Sequence, residues 1–223
     1  MKILCIADIH GDLDAVEKAK NFALKNNIQH ILILGDFQGH KNIGGVDDAE
    51  KILSMLRDFK LFVIPGNCDS PKLVPLLHDA GINLHEEILK IPGTDVIVAG
   101  FGGSIQTEYG TPFELEEEYI YDTLKNIFSQ QNSKKKFILA THCPPKYTKC
   151  DLTTRGSHNG SESLRKIIEE FQPEIVLSSH VHESAGNTDT IGKTKIANVG
   201  KLSEGNAAVL EISDKIHLKL CVL

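Results

Sequence analysis

No stretch of this chain approaches the ~20 consecutive apolar residues that span a bilayer, so no membrane association is expected. The opening run, Met1-Lys2-Ile3-Leu4-Cys5-Ile6-Ala7-Asp8, is too short for the apolar core of a secretory leader and ends in a carboxylate. There is no Cys-x-x-Cys pair. The five cysteines (Cys5, Cys68, Cys143, Cys150 and Cys221) are odd in number and scattered, so a disulfide framework is not expected. A reducing, cytoplasmic location is the simpler reading. Basic clusters are also missing: no Lys/Arg block exceeds Lys134-Lys135-Lys136, and the formal net charge is -6. Binding that neutralises phosphates needs a basic face, so stable nucleic-acid binding is not expected. No internal repeat and no low-complexity tract interrupts the chain.

What is present is an ordinary globular composition, 41% hydrophobic and 24% charged over 223 residues. That is enough chain to bury a substantial core, and residues 1–223 are expected to form one domain. Short runs rich in Ile, Val and Leu read as buried strands: Ile3–Ala7, His30–Leu34, Leu61–Ile64, Val96–Ala99, Lys136–Ala140 and Ile175–Leu177. Asp14–Asn26, Asp47–Phe59, Glu114–Phe128 and Ser161–Phe171 carry apolar residues at helical spacing. Leu164 rules out a capping box for the last of these, but Ser161 and Glu162 still suit a helix N-terminus, and Pro173 marks its stop. The glutamates opening the third suit the positive end of a helix dipole. From Lys193 onward, Thr194–Val199, Ala207–Ile212 and Ile216–Val222 alternate apolar and polar residues and read as an antiparallel meander. An exposed edge of that meander offers a place for two copies to pair as a homo-oligomer. Gln130–Lys136 reads as an exposed connection. The expected fold is a layered α/β protein, a two-sheet β-sandwich flanked by helices.

Five of the apolar runs end directly in side chains able to bind metal. Ile3–Ala7 leads into Asp8-Ile9-His10, His30–Leu34 into Gly35-Asp36, and Leu61–Ile64 into Pro65-Gly66-Asn67. Lys136–Ala140 leads into Thr141-His142, and Ile175–Leu177 into Ser178-Ser179-His180-Val181-His182. Residues just past the carboxyl ends of parallel strands converge on one rim, where ligands bind. Each residue taken singly has a plainer reading. A strand-end Asp is usually a turn former or helix cap, a lone His a hydrogen-bonded neutral ring, and Gly-Asn an ordinary turn. Independent turn residues have no reason to place this set after five strands. Two carboxylates, an amide oxygen and four imidazoles form a mixed N/O donor set that selects Mn, Fe, Zn, Co or Ni.

The ordered series Asp8-Ile9-His10, Gly35-Asp36, Gly66-Asn67-Cys68-Asp69, His142 and His180-Val181-His182 resembles the calcineurin-like metallophosphoesterases. Thr141-His142-Cys143-Pro144-Pro145 and Gly156-Ser157-His158-Asn159-Gly160-Ser161 resemble its small single-domain prokaryotic and archaeal branch. The resemblance implies a β-sandwich with a dinuclear site at the strand ends. Asp8, His10 and His182 would hold one divalent ion, Asn67, His142 and His180 the other, and Asp36 would bridge them. The ions would lie ~3.5–4 Å apart, with a hydroxide between them attacking phosphorus in line. Mn is the ion expected to support activity in vitro. The implied reaction is hydrolysis of a small phosphodiester, with overlapping action on monoesters. A phosphatase or nucleotide pyrophosphohydrolase is the alternative enzyme, and a non-catalytic metal-binding scaffold the alternative of another class. The intact ligand set weighs against the scaffold.

Two positions depart from the family pattern. Many relatives carry His where this chain has Cys68, and there it protonates the leaving group. His158 is a candidate to supply that proton instead, or else a surface loop histidine. Relatives usually have Gly where this chain has Ser179, so modest strain is expected if that position needs a positive φ. Asp69 reads either as a group orienting a ligand or loop, or as a turn Asp. Arg155 reads either as a grip on substrate phosphate or as a solvated surface residue. Gly100-Phe101-Gly102-Gly103-Ser104 lacks the Lys-Ser/Thr of a P-loop and reads as a turn near the pocket.

Overall fold

The computed structural model describes residues 1–130 and 136–223. In chain order the elements are β1 (Lys2–Ile6), α1 (Leu13–Lys25), β2 (His30–Ile33), α2 (Asp47–Met55), β3 (Lys60–Val63) and α3 (Leu73–Asp79). There follow β4 (Glu87–Lys90), β5 (Val96–Phe101), β6 (Ser104–Ile105), β7 (Glu114–Leu115), α4 (Glu117–Ser129) and β8 (Lys136–Thr141). The chain ends with α5 (Glu162–Phe171), β9 (Ile175–Ser178), β10 (Thr188–Ile191), β11 (Thr194–Asn198), β12 (Asn206–Ile212) and β13 (Ile216–Val222). Of the expected Gln130–Lys136 connection, residues 131–135 lie outside the described residues. Among the described residues, no helix is long and apolar enough to cross a membrane.

Two sheets carry the fold. One runs β13-β12-β1-β2-β3, the other β10-β11-β9-β8-β5-β4. β1, β2 and β3 are mutually parallel, as are β5, β8, β9 and β11. Strand alternation explains why the runs look continuously apolar: both faces of each sheet are covered. On β1 and β2, Ile3, Cys5 and Leu32 point between the sheets, where they meet Val98, Ile138 and Leu177. Leu4, Ile6, Ile31 and Ile33 point the other way, onto Val16, Ala19 and Ala23 of α1 and Ile52 of α2. The outer face of the second sheet (Ala99, Leu139, Val176) packs against Leu124 and Phe128 of α4 and Leu164 and Ile168 of α5. Each fully buried Leu or Ile contributes roughly 1.5–3 kcal/mol. The result is a β-sandwich with helices on both outer faces.

Several details differ from expectation. The C-terminal strands are not one meander. β11 joins β9 in parallel in the second sheet, whereas β12 and β13 form a hairpin that extends the first sheet beside β1. α2 ends a turn early at Met55, and α4 begins at Glu117 because Glu114 lies in β7, where its carboxylate accepts from Thr107 and Thr111. α3 was not anticipated. Pro75 falls in its first turn, where the lost N–H costs nothing.

The expected start of α5 does hold. Ser161 Oγ accepts from Leu164 N–H at 3.0 Å and donates to Glu117 at 2.6 Å. The same Glu117 carboxylate takes the Glu162 and Ser163 N–H groups, so one cluster fixes the openings of both α4 and α5. Ser161→Ala is expected to lower stability by about 1–2 kcal/mol, measurable as a shift in the urea midpoint. At the other end Gln172 turns into the left-handed region (φ 48) and Pro173 stops the helix.

Candidate metal centre

β1, β2, β3, β8 and β9 deliver Asp8, Asp36, Asn67, His142 and His180 to one rim. The chain turns sharply on leaving the strands. Asp8, His10, Asp36 and His180 have φ values of 47, 49, 54 and 66°, half of the eight non-glycine residues with positive φ among those described. Asp and His tolerate this region better than branched residues, and such strain clusters at functional sites. Asp8 N–H donates to Gly35 O and His10 N–H to Asp36 O, which locks the loops after β1 and β2 together. The two motif glycines are steric necessities. A Cβ on Gly35 would collide with the Gly66 backbone, and a Cβ on Gly66 with the Asp36 carboxylate.

The donor atoms converge. His10 Nε2 lies 3.4 Å from His182 Nε2 and 3.7 Å from Asp36 Oδ2. His182 Nε2 lies 3.5 Å from Asp8 Oδ2, and His142 Nε2 lies 3.5 Å from Asp36 Oδ1. Asn67 Oδ1 sits 2.8 Å from both His142 Nε2 and His180 Nδ1. Asp36 therefore stands between the His10–His182 pair and the Asn67–His142–His180 trio. Asp8 and His142 have no solvent exposure, while the His182 side chain is 33% exposed and marks the open side.

These contacts are short of protons and well suited to cations. His142 Nδ1 donates to Leu34 O at 2.7 Å and His10 Nδ1 to Gln38 O at 3.2 Å, so in the neutral rings both Nε2 lone pairs face inward. Asn67 donates its amide to Thr111 Oγ1 at 3.0 Å, which turns its oxygen toward the histidines. With His142 neutral, its Nε2 lone pair thus meets the Asn67 oxygen, acceptor to acceptor. Asp8 Oδ1 is buried with no hydrogen-bond partner, although Asp8 Oδ2 accepts from Ser179 Oγ and His180 N–H. A buried anion with an unpartnered oxygen is costly unless a positive charge adjoins it.

The electrostatics favour neutral rings at His180 and His10 and draw positive charge to His142. Burial first, and His142 second, push His180 down to about 4, leaving it a neutral ligand-type imidazole. Burial also lowers His10. For His142 burial opposes the charged form, but the Asp36 and Asp8 carboxylates prevail and raise its pKa. Asp8, His10 and His182, and likewise Asp8, Asp36 and His142, form groups able to hold metal ions, their donor atoms all within 4.8 Å of one another.

Other expected residues resolve as follows. Asp69 accepts backbone N–H from Asp36 (3.0 Å) and Gly66 (2.7 Å) on one oxygen, and from Phe37 (2.9 Å) and Gln38 (3.1 Å) on the other. Burial and then the Asp36 carboxylate push Cys68 well above the ordinary thiol range, so it is no thiolate. The strain expected at Ser179 is absent: the positive φ falls on His180, and Ser179 spends its hydroxyl on Asp8. Gly102 lies under the Pro65 backbone, so the glycine stretch is a packing joint between the loops after β3 and β5. Arg155 and His158 share a separate cavity with Glu183, beside His182. Two residues escaped sequence reasoning. His40 stacks on His10 with ring centroids 4.8 Å apart, and buried Asp151 holds His158. Neither follows a strand, so no positional signal marked them.

A family model for calcineurin-like phosphoesterases matches residues 1–184. Protein MJ1162 of Methanocaldococcus jannaschii is 34% identical over 203 residues, 89% of this chain and 87% of its own. Phosphodiesterase YfcE of Escherichia coli strain K12 is 31% identical over 83 residues, 35% of this chain and 45% of its own. The crystal structure of TT1561 from Thermus thermophilus matches with a TM-score of 0.77 at 22% identity, covering 99% of this chain and 98% of that one. A dimetal phosphatase from Danio rerio matches at 0.67 and 12% identity, covering 99% and 95%. At such identities the two structures speak for the fold alone.

Proposed function

This chain belongs to the calcineurin-like phosphoesterase family, and from that premise we propose that it hydrolyses a small phosphodiester with two divalent ions, Mn among those that support the reaction. In this reading Asp8, His10 and His182 hold one ion, Asn67, His142 and His180 hold the second, and Asp36 lies between them. The observation that carries it is the convergence of carboxylate, amide and imidazole atoms at the strand ends, with Asp8 Oδ1 buried and unpartnered. When bound, the ions would make a water nucleophilic near neutral pH and offset charge on the phosphoryl oxygens. The chain itself supplies orientation. Leu34 O and Gln38 O fix the tautomers of His142 and His10, and Thr111 fixes the Asn67 amide.

The partial match to YfcE, a phosphodiesterase, supports a diester as substrate. We read residues 1–223 as one domain, since β12 and β13 complete the sheet that holds Asp8. The free cysteines support a reducing compartment. Protein treated with chelator is expected to lose activity on bis(4-nitrophenyl) phosphate and to regain it with Mn, with elemental analysis giving about two ions per chain. Activity that survives complete chelation, or fewer than about one ion per chain after reconstitution, would overturn the reading.

A further inference from the structure

A cavity of about 630 Å³ has Tyr109, Arg155, His158 and Glu183 in its wall, and Glu183 directly follows His182 in the chain. That volume suits a small organic group. Both walls are tied to the centre. The loop carrying residues 105–111 reaches it through the Asn67–Thr111 hydrogen bond at 3.0 Å. The loop carrying residues 151–159 is joined to the turn after His182 by Ser184 Oγ donating to Leu152 O at 2.7 Å. These two ties and Glu183 join the cavity wall to the segments that carry Asn67 and His182.

Within it one titratable ring is deliberately held. His158 Nδ1 lies 2.8 Å from Oδ1 of Asp151, a carboxylate with no solvent exposure. Asp151 is itself fixed by the N–H groups of Tyr147 (3.2 Å), Thr148 (2.8 Å) and Gly160 (3.1 Å). The imidazole is also braced edge-on by Tyr147, with ring centroids 5.3 Å apart. With Nδ1 engaged, Nε2 is the nitrogen left for a bound molecule. This is the arrangement by which a carboxylate sets the tautomer of a proton-donating histidine. Cys68 offers no such group, because its thiol is buried and its pKa raised.

We propose that His158, oriented by Asp151, protonates the leaving-group oxygen of the ester, and that the cavity receives that leaving group. The inference rests on the phosphodiesterase reading above. As the oxygen of water bonds to phosphorus, the bond from phosphorus to the leaving oxygen breaks and its electron pair stays on that oxygen. The oxygen takes the proton from His158 Nε2 and departs as an alcohol, and the neutral ring keeps its Nδ1 proton on Asp151. The proton released by the attacking water restores the pair. His158 is the catalytic residue here and Asp151 its positioning residue.

The test compares 4-nitrophenyl methyl phosphate, whose leaving group needs no proton, with phenyl methyl phosphate, whose leaving group does. Wild type, His158→Gln and Asp151→Asn are assayed after Mn loading, with metal content and urea midpoint measured on each. His158→Gln is expected to lose at least ~10-fold more rate on the phenyl ester than on the nitrophenyl ester, with metal content unchanged. Asp151→Asn should show the same selectivity to a smaller degree. Equal loss on both esters in fully metallated variants, or no loss on either, overturns the role of His158. If fully metallated wild type cleaves neither ester, the phosphodiesterase reading falls, and the proposal with it.

Discussion

Asp36→Asn is expected to lower the rate of diester hydrolysis by at least ~100-fold, about 2.7 kcal/mol of transition-state stabilisation. The physical case is its position. Oδ1 lies 3.5 Å from His142 Nε2 and accepts from Cys68 N–H at 2.8 Å, while Oδ2 lies 3.7 Å from His10 Nε2. One carboxylate thus faces both histidine groups. Burial works against its charge, yet His142, His10 and the Cys68 N–H together hold its pKa below the ordinary carboxylate value. An amide removes that charge. If its oxygen keeps the Cys68 N–H, its NH2 points at the His10 lone pair and fills the place a cation would take. The fold should survive, since the backbone contact is retained. The checks are kcat/KM, metal content and urea midpoint on one preparation. A variant that keeps both its metal and the parental rate would show that the activity arises elsewhere.

The strand ends were legible because burial on both faces makes apolar runs visible, and because a parallel strand must be followed by its site residues at one rim. Ile3 to Asp8 and Ile175 to His182 show this plainly: a run whose every residue is buried, then side chains that no core requires. The partition of the last strands was not legible. Alternation in Thr194–Asn198 and Asn206–Ile212 states that each has two faces, but not which sheet each joins. That choice is made by long-range pairing, β11 with β9 and β12 with β1. α3 was hidden by Pro75, which reads as a breaker unless the helix start is known. Asp151 was hidden for a related reason: in sequence it is one more loop Asp, and only folding brings His158 onto it.

Asp69→Ala is expected to cost about 3–5 kcal/mol of stability, the largest loss foreseen for a single change in this chain. Asp69 is completely buried and its carboxylate receives the N–H groups of Asp36, Phe37, Gln38 and Gly66. Those donors belong to the loops after β2 and β3, so one side chain clamps the segments that present Asp36 and Asn67. Alanine would strand the buried donors, and each unpaired group costs about 1–3 kcal/mol, less where water enters. The clamp also stores electrostatic tension. Burial, and then the Asp36 carboxylate, push Asp69 up to about 7. A raised folded-state value favours folding at low pH, and that contribution is lost as pH climbs through about 7. Metal-free wild type should therefore weaken over that window, whereas a bound cation would offset the crowded carboxylates. Urea unfolding of wild type and Asp69→Ala, with chelator and with Mn, separates the two effects. The hydrogen-bond loss should persist in chelator, and Mn should stabilise wild type far more than the variant. A loss below about 1 kcal/mol in chelator would show that the four amides find other partners and that Asp69 is not the clamp.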